Sequence, residues 1–369
     1  MKKKALIITA MVFASTAICA PAFAGPNDIQ YGGAWYNGVV VGNVGVFDET
    51  PGVGNYNVNN NVNGIGAIVD DRATSFYVHG NVGMFNGNAV GNTIVNGTGA
   101  DVGWTDHATA TGTVGYFSDS RNNKIEIGKG AVIAAGSYNT ATGTVGSFDN
   151  SYNNQMLNTW VSGNPGYAAG SVGAYVGGGD HNTATGTVGQ FSYVGIDGGV
   201  GNTIYAGQGA VIEGGSRNTA NGQVGIFSGV VFNPTQEVKA GTIDPITGNI
   251  IYSSTGARIV GGTDNTATGY VGLFNNVGAD ASNNSNLISG NTINSSVGAY
   301  IQSGSNNIAI GTVGSFNTSS RNWFATNNTV EGTGAAIYGG SNNLAIGTVG
   351  KFESGSGNTV KGTGVVIGH

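Results

Sequence analysis

The sequence predicts an all-β protein, a parallel β-solenoid of about 17 rungs built from nine degenerate repeats. Three observations lead there. The first is composition: 68 Gly and 45 Asn stand among 369 residues, with only 6 Pro and 9% charged residues. Average Gly usage is about 7%, and each Gly weakens a helix interior by about 0.5–1 kcal/mol, so a helical fold is a poor match. Collagen is excluded because no Gly-x-y triplet runs through the chain. The second is self-similarity. Val-Gly-x-Phe occurs nine times, ending at Phe47, Phe85, Phe117, Phe148, Phe191, Phe227, Phe274, Phe316 and Phe352, at intervals of 31 to 47 residues. Such spacing marks a repeat architecture. The third is alternation. In Asn182-Thr-Ala-Thr-Gly-Thr-Val188, Asn182, Ala184, Gly186 and Val188 share one face and three Thr share the other, the period of a strand.

Taken from the N-terminus, residues 1–24 read as a signal peptide. Lys2, Lys3 and Lys4 precede the apolar run 5–17, and Ala22-Phe-Ala24 is a cleavage-site pattern. Cys19 is the single cysteine and leaves with this segment, so the remainder forms no disulfide. It also keeps ten basic against 19 acidic residues, a balance that disfavours nucleic acid and anionic membranes as partners. No later apolar run approaches the 18 residues of a membrane helix. Residues 25–43, with Tyr31, Trp35 and Tyr36, lie outside the repeat and are expected to cap the first rung.

Residues 44–369 form the repeat domain. Each unit has two halves. One reads Asn-x-Ile/Val and then Gly-Ala-x-Ile/Val, as in Asn202 to Ile212; the other reads Asn-Thr-Ala-Thr-Gly-Thr-Val-Gly-x-Phe, as in Asn182 to Phe191. The first Asn precedes the second by 15 or 16 residues, as from Asn123 to Asn139, whereas the return distance varies. A half of this length suits one narrow rung of two strands and two turns. About 17 rungs at about 4.8 Å each give a rod of about 80 Å. Gly after Val should end the strand and flip its parity, so that the Phe column turns inward as a structural ladder, with Asn stacked on Asn. Extra residues always follow the Phe. The largest insertion is 233–252, where 242–250 looks like a hairpin.

The chain stops in mid-unit, and a last rung without a polar cap offers unpaired backbone groups to another chain. Val365, Val366 and Ile367 are therefore expected to form an assembly interface. On the Thr face, Ile308, Ile310, Leu344 and Ile346 replace Thr late in the chain, and an exposed apolar patch there predicts lateral contact. No catalytic, metal or cofactor-binding residue is assigned. His107 and His181 share one column with Tyr138, Arg217, Asp264, Asn306 and Asn342, which reads as a variable exposed site. Carboxylates are too scattered for a glycosidase pair. The Thr array is broken by other residues, which disfavours ice binding.

Two families share short motifs with the chain. Gly304-Ser-Asn-Asn-Ile-Ala-Ile-Gly311 and Gly340-Ser-Asn-Asn-Leu-Ala-Ile-Gly347 resemble head repeats of trimeric autotransporter adhesins, which implies a β-roll that binds host surfaces. Gly136-Ser-Tyr-Asn-Thr-Ala141 resembles the repeat core of curli-type fibre subunits, which implies an exported solenoid that polymerises, although Phe stands where those repeats carry Gln. The expectation is a secreted, non-enzymatic bacterial protein that self-assembles head to tail into extracellular fibres or biofilm matrix. The alternative is a secreted or surface adhesin whose loops bind host proteins or glycans.

Overall fold

The computed structural model describes residues 28–30, 39–47, 61–69, 73–74, 77–86, 90–117, 122–149, 155–156, 171–194, 202–231, 246–278, 288–318, 325–339, 341–352 and 355–368. The expected signal peptide, the aromatic residues 31–36 and the insertion up to residue 245 lie outside them. Among the described residues every strand pairing is parallel, as a β-solenoid requires. One sheet holds nine strands, each ending in or containing a Val-Gly-x-Phe segment; a second holds 15 strands of 2 to 14 residues from the other half of each unit.

Register fixes how the units stack. Thr140 pairs with Thr183, Gly143 with Gly186 and Phe148 with Phe191; Ala174 pairs with Ala131 and Ala210 in the other sheet. Hydrogen-bonded neighbours are thus one whole unit apart. The two halves of a unit do not stack on each other; they face each other as opposite walls of one coil. The expectation of about 17 rungs is corrected accordingly. The Phe sheet has nine strands, which at about 4.8 Å each extend about 40 Å rather than 80 Å.

The strand pattern follows the alternation. Across 182–191, Asn182, Ala184, Gly186 and Val188 are buried while the Thr residues between them are half-buried or exposed. Gly189 then shifts the parity, leaving Gln190 exposed and Phe191 buried. This glycine is needed for its backbone: at all nine Val-Gly-x-Phe segments its φ lies between 66° and 77°, a left-handed conformation that a side chain disfavours. Seven Phe, from Phe85 to Phe316, are at most 1% exposed. Together with Phe352 they stack with ring centroids 4.6–4.9 Å apart and planes within 6°.

The interior is divided lengthwise. One compartment holds the Phe column, its Val column and the facing Ile, Val and Met residues such as Ile204 and Met156. The other holds small Ala columns and Ile212, Ile259 and Ile301. Between them the walls touch. A Cβ at Gly186 would overlap the carbonyl oxygen of Gly209, and the same holds for Gly143 on Gly173 and Gly269 on Gly298. The glycine in the middle of each Phe-sheet strand is therefore required by close approach of two backbones, which draws the sheet inward along its midline.

At the far edge, the region read as a hairpin differs from that reading where it is described. Strand 246–247 pairs in parallel with 288–289, and strand 250–252 pairs in parallel with 203–205 and 292–294. The first of these belongs to a small four-stranded sheet that continues through 325–326 to 355–356. Within the segment expected to be a cap, strand 28–30 pairs with 61–63, and 39–43 begins the first strand of the Phe sheet.

Candidate assembly surfaces

The cohesive contacts of this molecule run from coil to coil, so its candidate sites are best built from the columns outward. Two Asn ladders line the turns. In one, the backbone N–H of Asn182 donates to Asn218 Oδ1 at 2.7 Å, that of Asn218 to Asn265 at 2.9 Å, and that of Asn265 to Asn307 at 3.0 Å. The side-chain Nδ2 of Asn218 donates to the carbonyls of Gly179 and Gly214 at 2.9 and 3.1 Å. The second ladder runs from Asn202 through Asn249, Asn291 and Asn328 to Asn358 with N–H···Oδ1 distances of 3.0–3.1 Å. From Asn182 to Asn307 and from Asn202 to Asn328 these asparagines are almost fully buried, which is tolerable because their amide oxygens, and every Nδ2 except that of Asn307, are hydrogen-bonded. Every one of these backbone bonds points the same way, from one coil to the amide oxygen of the next coil toward the C-terminus. The ladders are polar.

At the C-terminal coil the columns are laid open. Val360, Val365 and Ile367 are 45%, 38% and 52% exposed, whereas their register partners Val330, Ala335 and Ile337 are each 0% exposed. These three are core-column residues with one side uncovered. Of the predicted interface, Val365 and Ile367 thus sit on the core columns. Val366 is half-buried and occupies the alternate column of Tyr300 and Ala336. Sequence reasoning missed Val360, although its register with the Ile/Val that follows each Asn-x was legible. Phe352, the end of the Phe ladder, is only half-buried.

The predicted lateral residues come together. Ile308 pairs with Leu344 and Ile310 with Ile346 on adjacent strands. Leu344 and Ile346 are each 51% exposed and Ile310 is 36% exposed, with Ile308 half-buried. They form one apolar patch on the outer face of the last two Phe-sheet strands. Along the rest of the ladder, Phe47 lies in register with Phe85, and Phe85 with Phe117.

The column of His107, Tyr138, His181, Arg217, Asp264, Asn306 and Asn342 is a turn position with φ between 55° and 60°. From Tyr138 onward it immediately precedes the ladder Asn, and at His107 the next residue is Ala108, whose N–H donates to Asn139 Oδ1 at 2.8 Å. The rings of His107, Tyr138 and His181 stack with centroids 5.1 and 4.8 Å apart, so the variability in sequence is accommodated by side chains that point off the turn. The acidic residues beside this column act on the backbone. Asp106 Oδ1 accepts the N–H of Ser137 at 2.6 Å, and Asp180 Oδ1 accepts that of Ser216 at 2.7 Å. Each carboxylate bridges one turn to the next. Elsewhere, burial raises the Asp101 carboxyl above the ordinary carboxylate range, opposed by the positive charge of Lys129.

Among the described residues no helix is long and apolar enough to cross a membrane. Comparison with known proteins places nothing beside this chain: no family model matches it, and neither does any curated protein or solved structure.

Proposed function

We propose that this chain is an exported structural protein whose copies stack head to tail into extracellular fibres. The observation that carries this reading is the C-terminal coil, where Val360, Val365 and Ile367 expose apolar surface in columns that are closed at the coil before, at Val330, Ala335 and Ile337. A further coil of the same shape would cover them in register. The polarity of the Asn ladders favours a head-to-tail partner over a head-to-head one, because an inverted copy would present its N–H groups to other N–H groups. Such a contact is heterologous and does not close on itself, so it propagates. The basic, apolar and Ala-x-Ala features of residues 1–24 support export from a bacterium, and the likeness of Gly136–Ala141 to curli-type repeats supports a fibre. The structural, non-enzymatic role agrees with the scattered carboxylates.

The test is filament growth. The chain is diluted from denaturant and followed by negative-stain electron microscopy and fibre diffraction, beside a Val365→Glu/Ile367→Glu variant. Two carboxylates in otherwise apolar core columns oppose stacking through desolvation and like-charge repulsion. Wild-type filaments with a reflection at about 4.8 Å along the axis, absent from the variant, are the expected result. Discrete particles at every concentration, single or in threes, would overturn the proposal and favour the adhesin. Identical filaments from the variant would remove the C-terminal coil from the interface.

A further inference from the structure

The outer surface of the Phe sheet carries a feature that stacking does not use. At Gly186 and Gly222, whose backbones lie against the opposite wall, the outer face of the sheet is indented. Two outward columns flank the indentation, one running from Thr111 through Thr185 to Thr268 and the other from Thr113 through Thr187 to Tyr270. Across three coils the indentation forms a cleft of about 290 Å³ whose walls are Thr185, Thr187, Asn221, Gln223, Thr268 and Tyr270 and whose floor includes Gly186 and Gly222.

Three properties define what such a cleft can hold. It is neutral: over all nine strands neither column contains an Asp, Glu, Lys or Arg. It is rich in hydrogen-bonding groups that are not spent internally. Among the described residues, the six wall side chains form no hydrogen bond with one another or with the rest of the chain, in contrast to ladder residues such as Asn218. From the Thr111 coil to the Thr268 coil it is also periodic, offering a hydroxyl or amide on each wall at each coil, about 4.8 Å apart. An anionic polymer would need cations, which these walls lack. An extended peptide would need a free sheet edge, whereas the three strands of the cleft are paired on both sides.

We infer that this cleft is a binding site for a neutral linear polysaccharide lying along the solenoid axis. Sugar hydroxyls would exchange hydrogen bonds with the Thr, Asn and Gln walls, and the Tyr270 ring would offer an apolar face to a pyranose. The polar stretch runs from the Thr111 coil to the Thr268 coil, after which Ile310 and Ile346 turn the same column apolar. The site depends on the side of the coil and not on its ends, so it is present whether the chain is single or in a fibre.

Affinity electrophoresis of the purified protein through hydroxyethylcellulose, with alginate as the anionic control, tests the inference. Retardation by hydroxyethylcellulose but not by alginate is expected. Thr185→Val/Thr187→Val removes two hydroxyls while keeping the branched shape that suits a strand, and Tyr270→Ala removes the ring at a single outward position. Each is expected to weaken retardation at least tenfold with an unchanged circular dichroism spectrum. Should the double variant fail to fold, Tyr270→Ala carries the test alone. Wild-type protein that migrates freely through hydroxyethylcellulose would overturn the inference. So would equal retardation by alginate, variants retarded like wild type, or sedimentation showing the Thr face buried between two copies. Filament growth in the preceding experiment reports on the coil ends only, so either result can fail without the other.

Discussion

Replacing Asn218 by Asp isolates what a ladder amide does. Asn218 accepts the Asn182 N–H on Oδ1 at 2.7 Å and donates through Nδ2 to the carbonyls of Gly179 and Gly214, and its side chain is 1% exposed. A protonated Asp keeps the acceptor but offers one O–H in place of two N–H donors. One carbonyl then loses its partner, at a cost of about 1–3 kcal/mol. An ionised Asp donates to neither carbonyl and sets its charge against both. Burial and the two carbonyl oxygens hold the folded carboxyl above the unfolded value of about 3.9. The native state then binds more protons than the unfolded chain, so stability falls as pH rises from the unfolded value through the folded one. Each pH unit between the two values subtracts about 1.4 kcal/mol. A folded value two to three units higher removes about 3–4 kcal/mol more at neutral pH. The assay is guanidinium unfolding of variant and wild type at pH 4 and pH 7, with hydrogen exchange at the Asn182 amide. The deficit of the variant should widen from pH 4 to pH 7. A deficit that is the same at both values, or no deficit at all, would refute the argument that the Asn donors are what the buried turn requires.

Phe191→Ala should lower stability by about 3–5 kcal/mol, because the ring is fully buried and stacked on both Phe148 and Phe227; a loss under 1 kcal/mol in the unfolding midpoint would show that the compartment collapses to fill the space. Gly186→Ala should be at least as damaging despite adding one methyl group, since its Cβ meets the Gly209 carbonyl and the Ala174 nitrogen rather than a movable side chain; near wild-type stability in the same assay would contradict the pinched interior. Asp101→Asn should raise the unfolding midpoint at pH 7. The folded Asp101 value is raised by burial, so its charge costs stability once pH exceeds the unfolded value, and the gain should vanish by about pH 3.

Much of the fold was legible because it is a consequence of one-dimensional order. The alternation in 182–188 predicted which residues point inward, and the burial of Asn182, Ala184 and Val188 agrees. The reversal of parity at Gly189 follows from the need for a residue that tolerates positive φ. Two of the C-terminal residues expected at an interface, Val365 and Ile367, lie on open core columns, and the four apolar residues on the Thr face form one patch. What misled was the similarity of the two halves. Both open on Asn and continue with alternating apolar residues, so either could be taken as a rung. The Phe held the missing signal: rings stacked 4.6–4.9 Å apart require consecutive Phe in consecutive coils, which only a coil of one whole unit provides.

Sequence alone thus determined the strand content, the facing of side chains along each strand, the glycine turns and the ladders, because these depend on residues close in the chain and on a repeat that multiplies each preference nine times. Tertiary structure decided the rest. Whether two similar halves stack or face each other depends on which backbones touch, and the contact of Gly186 with Gly209 or of Gly143 with Gly173 joins residues whose meeting no local pattern encodes. That contact divides the core into two compartments and indents the Thr face into a cleft. Glycine has no side chain with which to announce a partner, so its role became visible only once both walls were in place.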